Sequence, residues 1–135
     1  MDVSDIRLKK EIVPLSSSVN KNRNDSSILQ KILKLKGVTY ELNDKVAKIA
    51  TKSVKKSPRE IGFIAQDVEA LFPDLVDKRS NGFLGLKYAR FVPIITEGFK
   101  ELNDQMMELQ RENDKLRTSI QVLTEKIINI EMKMK

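Results

Sequence analysis

Any catalysis by this chain would have to use hydroxyl, amine or carboxylate groups, because its 135 residues include no His and no Cys. Without these two residue types, zinc sites of the usual kinds, serine–histidine chemistry and cysteine nucleophiles are all excluded. We therefore expect no metal site and no cofactor. The lack of cysteine is compatible with a cytosolic protein but does not establish the compartment.

The chain is basic, with 25 Lys and Arg residues against 19 Asp and Glu, a net charge of +6. Part of the excess lies in a lysine run: Lys45, Lys48, Lys52, Lys55 and Lys56. Such a run is usually a solvated face or a mobile arm, and nucleic-acid binding is the alternative. A leucine-zipper DNA binder needs a basic helix directly before its heptads. Here the only basic residues of the segment 82–93 are Lys87 and Arg90, and the segment ends in a proline. We expect no nucleic-acid partner.

A heptad pattern dominates the last third of the chain. Apolar residues recur alternately four and three positions apart, with one polar member, at Ile95, Phe99, Leu102, Met106, Leu109, Asn113, Leu116, Ile120, Leu123, Ile127, Ile130 and Met134. A repeat of 3.5 residues over this length predicts a left-handed coiled coil. No apolar run approaches the roughly 18 residues that a membrane span needs, so we expect no membrane partner.

The charges beside the heptads favour parallel strands. With Phe99 at position a, the flanking g and e positions pair Glu112 with Arg117 and Lys126 with Glu131, which are opposite in sign. Ile at a, Leu at d and one Asn at a lean towards a dimer on general rules, but the pattern leaves the number of strands open. A single helix packed within its own chain is the less favoured alternative, because few residues remain to cover it.

The residues before the heptads predict a small mixed head. Capping side chains at 24–27 precede a helix from Ile28 to Lys36, and a second helix is predicted over 65–72, ending before Pro73. Strands are predicted over 38–42, 61–64 and 83–86. We expect the long helix to start near Pro93, where a missing N–H costs nothing. The predicted fold class is α+β, with a head over 1–92 and a coiled-coil helix over 93–135.

Four segments, in this order and spacing, resemble one family. They are Ser4-Asp5-Ile6-Arg7-Leu8-Lys9-Lys10, then Gly37-Val38-Thr39-Tyr40-Glu41, then Ile61-Gly62-Phe63-Ile64-Ala65-Gln66-Asp67-Val68-Glu69 with Phe72-Pro73-Asp74-Leu75-Val76, and finally Leu86-Lys87-Tyr88-Ala89-Arg90-Phe91-Val92-Pro93 running into Glu101-Leu102-Asn103. The resemblance is to the intramolecular chaperone domain of endosialidases and other phage tail spikes and fibres, also called the S74 peptidase family.

The resemblance implies a parallel homotrimer and a role in assembly. Members of this family sit at the C-terminus of trimeric fibre proteins, where they drive trimerisation and folding of an upstream β-rich stalk of the same polypeptide. They then cut themselves off. We therefore expect the chain to act in the host cytoplasm during virion assembly and to leave the mature tail after cleavage. Only three residues precede Ser4, so we expect the sequence either to be a piece excised from a longer polypeptide, which is the favoured alternative, or to be a separate protein whose natural chain begins here.

The resemblance also supplies the cleavage residues. It implies a Ser-Lys dyad of Ser4 and Lys9 that cuts the Val3–Ser4 bond once, on its own chain. In this chemistry a serine attacks the preceding carbonyl carbon, and water hydrolyses the resulting ester. A lysine can act as the base only when neutral, although its ordinary pKa is about 10.4; burial or a cationic neighbour such as Arg7 or Lys10 would have to lower it.

Five residues of separation do not by themselves bring two side chains together on a strand or a helix. Ser4 and Lys9 therefore require a turn or a second chain, which leads to the hypothesis that assembly gates cleavage. Without the resemblance, Ser4 could simply begin a strand or cap a turn, and Lys9 could be one of many solvated lysines. The alternative function is a structural cap that trimerises a fibre and stays attached without cleavage.

Overall fold

A computed structural model describes residues 4–15, 27–42 and 59–135 of the chain. In chain order its elements are a 3₁₀ turn Ile6–Leu8, helix α1 Ile28–Lys34, strand β1 Val38–Tyr40, strand β2 Glu60–Gly62, helix α2 Ala65–Leu71, a 3₁₀ turn Pro73–Leu75, strand β3 Val76–Lys78, strand β4 Leu84–Leu86, a 3₁₀ turn Tyr88–Arg90 and helix α3 Phe91–Lys133. The predicted mixed architecture, with short strands and helices before a long C-terminal helix, is confirmed. The chain divides into two compact units, Met1–Glu97 and Gly98–Lys135.

The two short helices begin where the sequence predicts. The Ser27 hydroxyl caps α1 by accepting a hydrogen bond from the Gln30 N–H at 3.2 Å. This helix ends two residues before the predicted Lys36, because Leu35 already has an extended backbone. Helix α2 ends at Leu71, one residue early, and Pro73 opens the turn that follows. The other predicted capping residues, 24–26, lie outside the described residues.

The strands form two antiparallel pairs, β1 with β2 and β3 with β4. In the first pair Val38 lies opposite Gly62 and Tyr40 lies opposite Glu60. The predicted strands over 38–42, 61–64 and 83–86 are present but shorter, and β3 was not predicted. The lysine run at 45–56 connects β1 to β2 and falls outside the described residues.

The hydrophobic core of the first unit is small. Val68 of α2, Leu75, Val76 of β3 and Phe91 are its buried members. Partly buried side chains pack around them, from Leu35, Phe63, Phe72, Leu84, Leu86 and Ile94. Helix α2 supplies Val68 as its single buried residue, so its other faces remain at least partly solvated. The core therefore fixes β3, β4 and the start of α3 around one side of α2.

An aromatic cluster connects the end of β2 to the start of α3. The ring centroids of Phe63 and Phe91 lie 5.4 Å apart, and those of Tyr88 and Phe91 lie 5.8 Å apart. The Phe63 N–H donates a hydrogen bond to the Tyr88 hydroxyl at 3.1 Å. Gly62 leaves room for that hydroxyl, because a Cβ on this glycine would lie 2.5 Å from the Tyr88 Oη atom. These contacts hold the turn Tyr88–Arg90 against the head.

Helix α3 has 43 residues and spans about 65 Å at 1.5 Å per residue. It begins at Phe91, two residues before the predicted start, and Pro93 lies in its first turn, where the N–H has no helical partner. Every residue from Leu102 to Lys135 is exposed in the single chain. Among the described residues, no helix is long and apolar enough to cross a membrane.

Candidate functional site

A single turn separates Ser4 from Lys9. The Asp5 carboxylate caps the 3₁₀ turn Ile6–Leu8 by accepting the Arg7 backbone N–H at 2.9 Å. The Leu8 N–H donates to the Asp5 carbonyl, and the Lys9 N–H donates to the Ile6 carbonyl, both at 3.1 Å. The chain therefore has the turn that a five-residue separation requires. The capping group is Asp5, so the Ser4 hydroxyl does not have this structural task.

Ser4 and Lys9 line the same pocket, which has a volume of about 720 Å³. The rest of the lining comes from the segment at the start of α3: Lys87, Tyr88, Ala89, Arg90 and Pro93. Ser4, Lys9 and Arg90 are exposed, whereas Lys87 is half-buried. The pocket therefore brings a hydroxyl and three basic side chains together from two parts of the chain about 80 residues apart.

The main chain of residues 87–91 is fixed to the core. The Lys87 N–H donates to the Leu75 carbonyl at 2.9 Å, which extends the contact between β3 and β4. The Arg90 N–H donates to the Lys87 carbonyl at 2.9 Å and closes the turn. Phe91 follows directly and is 4 % exposed. This side of the pocket is therefore better supported than the Ser4 side, where the Asp5-capped turn has no buried residue.

An ion pair stiffens the turn between the two predicted catalytic residues. The Arg7 guanidinium donates to the Asp5 carboxylate, through Nη2 at 2.6 Å and through Nε at 3.0 Å. These side-chain bonds, together with the bond from the Arg7 backbone N–H, lower the pKa of Asp5. The same ion pair raises the pKa of Arg7. Arg7 is thus engaged with Asp5 beside the pocket, and it is not one of the lining residues.

The lining residues can perform hydroxyl and amine chemistry but offer no carboxylate. Ser4 provides the nucleophile type and Lys9 an amine, while Lys87 and Arg90 add positive charge. A serine beside a lysine is an arrangement that acyl-transfer enzymes use in place of a serine and a histidine. Within the described part of the chain, no group of three or more acidic, His or Cys side chains could hold a metal ion.

A model of the S74 peptidase family, described as the chaperone of endosialidase, matches residues 4–77. The chain belongs to this family. The match begins at Ser4 and covers more than half of the chain, and it confirms the family resemblance drawn from the sequence motifs. The pocket residues between 87 and 93 lie beyond the segment that the family model matches.

This chain is also similar to two curated proteins. Both are described as long tail fiber protein Gp37, one from Enterobacteria phage M1 and one from Enterobacteria phage Ox2. Each is 32 % identical over 95 residues, which cover 68 % of this chain and 36 % of the relative. The chain therefore spans about a third of the length of the curated relatives it matches.

The predicted site residues of this S74 chain are only partly brought together. Ser4 and Lys9 share the pocket, while Val3 lies outside the described residues. The predicted coiled-coil positions lie on α3 or, for Met134, just after it, and their apolar side chains are about half or more exposed, from Leu102 at 49 % to Met134 at 81 %. Lys87 and Arg90 are pocket residues that the sequence did not predict. The available signal was that both cations lie within a segment that resembles the family.

Proposed function

We propose that this chain is the C-terminal intramolecular chaperone of a phage tail fibre or tail spike. In this proposal three copies trimerise through α3 and assist folding of the upstream β-rich stalk. The chaperone then releases itself by cutting the Val3–Ser4 bond. It acts in the host cytoplasm while virions assemble and leaves the tail after cleavage. Its membership of the S74 family and its similarity to two long tail fibre proteins support the assembly role.

The observation that carries the cleavage part of the proposal is the shared pocket of Ser4 and Lys9. In the reaction, Lys9 as the neutral amine takes the Ser4 hydroxyl proton while the hydroxyl oxygen adds to the preceding carbonyl carbon. The C–N bond then breaks as the Ser4 nitrogen gains a proton, leaving an ester. Water hydrolyses the ester, which gives a carboxylate on the upstream piece and restores the Ser4 hydroxyl.

The observation that supports trimerisation is the apolar stripe on α3. Its members include Leu109, Leu116 and Leu123, which are 64 %, 63 % and 57 % exposed in the single chain. Exposed apolar surface of this extent, repeated every 3.5 residues, is stabilised when parallel helices cover it. A trimer would also bury part of the exposed Ser4–Lys9 turn if neighbouring heads meet there, and cleavage would then depend on assembly.

The test is a longer polypeptide in which an upstream fibre segment is joined before Met1. Mass spectrometry of the purified product should find a piece whose first residue is Ser4. Ser4→Ala and Lys9→Ala should both abolish the cut while size-exclusion chromatography with light scattering still finds trimers. An uncut, trimeric parent would instead favour the second candidate, a structural cap that trimerises the fibre and stays attached. That candidate needs only the α3 stripe.

A further inference from the structure

The pocket lined by Ser4 and Lys9 also has two positive side chains that the proposed Ser-Lys dyad does not use. Lys87 and Arg90 line it together with Ser4 and Lys9. Both lie beyond residue 77, where the family match ends. The lining includes no acidic residue that would pair with them inside the pocket. Their charges are therefore available to a negative group that forms beside Ser4.

The proposed reaction creates such a group twice. When the Ser4 hydroxyl oxygen adds to the preceding carbonyl carbon, the electron pair of the C=O bond moves onto oxygen and gives an oxyanion. That carbon is bonded to the Ser4 backbone nitrogen, so the charge develops two bonds from an atom of a pocket residue. The oxyanion forms again when water adds to the ester. Stabilisation of this charge is usually the largest single contribution to acyl-transfer catalysis.

The backbone that carries Lys87 and Arg90 is fixed before the reaction begins. Lys87 is hydrogen-bonded to Leu75 through its N–H, and Arg90 closes a turn that ends at the buried Phe91. Tyr88, which lies between them in sequence, accepts a hydrogen bond from the Phe63 N–H through its hydroxyl. A fixed backbone limits the positions that the two side chains can reach, and donors with less freedom need less reorganisation to stabilise an oxyanion.

Arginine can stabilise an oxyanion but cannot act as the base. A guanidinium stays protonated at every pH at which proteins fold, so Arg90 can donate hydrogen bonds but cannot take the serine proton. Resting on the proposed autoproteolysis, we propose that Lys87 and Arg90 are the oxyanion-stabilising residues of the cleavage site. They contact the carbonyl oxygen of the bond before Ser4 in both tetrahedral intermediates.

The experiment uses the longer polypeptide with an upstream segment and measures the rate at which the Ser4 N-terminus appears. Lys87→Gln and Arg90→Gln keep length and polarity but remove the charge. Each should slow the cut by about tenfold or more, below the 10²–10³-fold loss found for a buried oxyanion donor because these side chains are partly solvated. Lys36→Gln, an exposed lysine outside the pocket, is the matched control and should stay within about twofold. Trimer content and melting temperature should not change in any variant.

A pH series separates oxyanion stabilisation from help in deprotonating the lysine base. If Lys87 and Arg90 only favoured the neutral amine, the slow variants would recover above the ordinary lysine pKa of about 10.4. The oxyanion role predicts that the loss in Arg90→Gln persists at every pH at which the trimer survives, because the guanidinium stays charged throughout, and that Arg90→Lys keeps part of the rate near neutral pH. Full recovery of Arg90→Gln at high pH, or a normal rate in the double Gln variant near neutral pH, would overturn the assignment. Failure of the unsubstituted parent to cut would instead overturn the proposed function itself.

Discussion

The backbone N–H of Phe63 and the hydroxyl of Tyr88 are joined by a hydrogen bond of 3.1 Å across 25 residues of chain. The contact ties the residue after β2 to the turn that carries Lys87 and Arg90. It is possible because Gly62 has no side chain, and Tyr88 Oη occupies the space in which a Cβ would lie. A single glycine therefore controls how closely one side of the pocket approaches the rest of the head.

Gly62→Ala should destabilise the protein. The new Cβ would lie 2.5 Å from Tyr88 Oη and 3.2 Å from Tyr40 Cε1, so both rings would have to move. Overpacking of this kind costs about 1–3 kcal/mol in the free energy of unfolding. Denaturant unfolding at one fixed protein concentration measures the change.

Gly37→Ala is the matched control, because no atom lies within 4 Å of a Cβ built on Gly37. We expect it to leave stability unchanged or to raise it by about 0.4–1 kcal/mol, through a less flexible unfolded chain. A double variant, Gly62→Ala with Tyr88→Phe, should lose less than the sum of its two single changes, since the nearest clashing atom is gone. Strict additivity would show that the Tyr88 hydroxyl is not what Gly62 accommodates.

Tyr40 should make the stability of the head fall in alkaline solution. The pKa of Tyr40 is raised above its ordinary value of 10.0, first by the hydrogen bond to Glu60 and then by burial and nearby negative charge. The folded state therefore holds this proton more tightly than the unfolded chain does. The resulting stabilisation is complete below about pH 10 and is lost as the pH rises through the folded-state pKa.

Tyr40→Phe removes the titrating group and isolates this effect. The variant should lose about 0.5 kcal/mol at pH 7, the low end for a hydrogen bond because the pair is near the surface. Its stability should then fall less steeply than that of the parent between pH 9 and pH 11, as followed by thermal unfolding. Parallel curves for the two proteins would contradict the assignment to Tyr40.

Asp5 should influence the proposed cleavage through the turn and not through its charge. Asp5→Ala removes the acceptor of the Arg7 N–H and should slow the cut at Ser4, because the turn that brings Ser4 and Lys9 to one pocket loses its cap. Asp5→Ser keeps a capping oxygen but not the ion pair with Arg7, and it should retain most of the rate. If Asp5→Ser were as slow as Asp5→Ala, the ion pair would be the important contact. Mass spectrometry of the longer polypeptide over time distinguishes the two.

Leu116→Glu should break the proposed trimer and, if assembly gates the proposed cleavage, stop the cut. Three glutamates at one layer of a coiled coil would repel one another and leave charge in an apolar seam. Thr118→Glu places the same charge two residues away, at position f on the outer face of the predicted heptads, and should leave both trimer and rate unchanged. Light scattering reports the number of chains. A monomeric Leu116→Glu protein that still cut at the parent rate would remove gating from the proposal.

How much the sequence predicts depends on whether the signal is local. The long helix was predicted to within two residues of its start, because an apolar repeat and a proline are local features. Strand β3 was missed because Val76-Asp77-Lys78 is short, carries two charges and follows a proline turn. Its position depends on the pairing of Val76 with Leu86, which no local pattern reports.

The candidate site also combines residues with a local sequence signal and residues that are positioned by long-range contacts. The motif containing Ser4 and Lys9 drew attention to these residues, but spacing alone gave no reason for their side chains to meet. Lys87 and Arg90 line the same pocket although they lie some 80 residues away in sequence, and their position depends on the burial of Phe91 and the bond between Lys87 and Leu75. Such long-range packing depends on the whole core, so the periodicity of residues in the sequence does not predict it.

The pairing of Tyr40 with Glu60 brings the two ends of the intervening chain to adjacent positions in one ladder. An insertion between neighbouring anchor points adds little closure entropy, since this cost grows only logarithmically with length. The connection is therefore a suitable place to splice in a small fluorescent domain or an affinity tag. Such a label would travel with the head, and under the proposed function it would report when, and in how many copies, the head separates from an assembling virus particle.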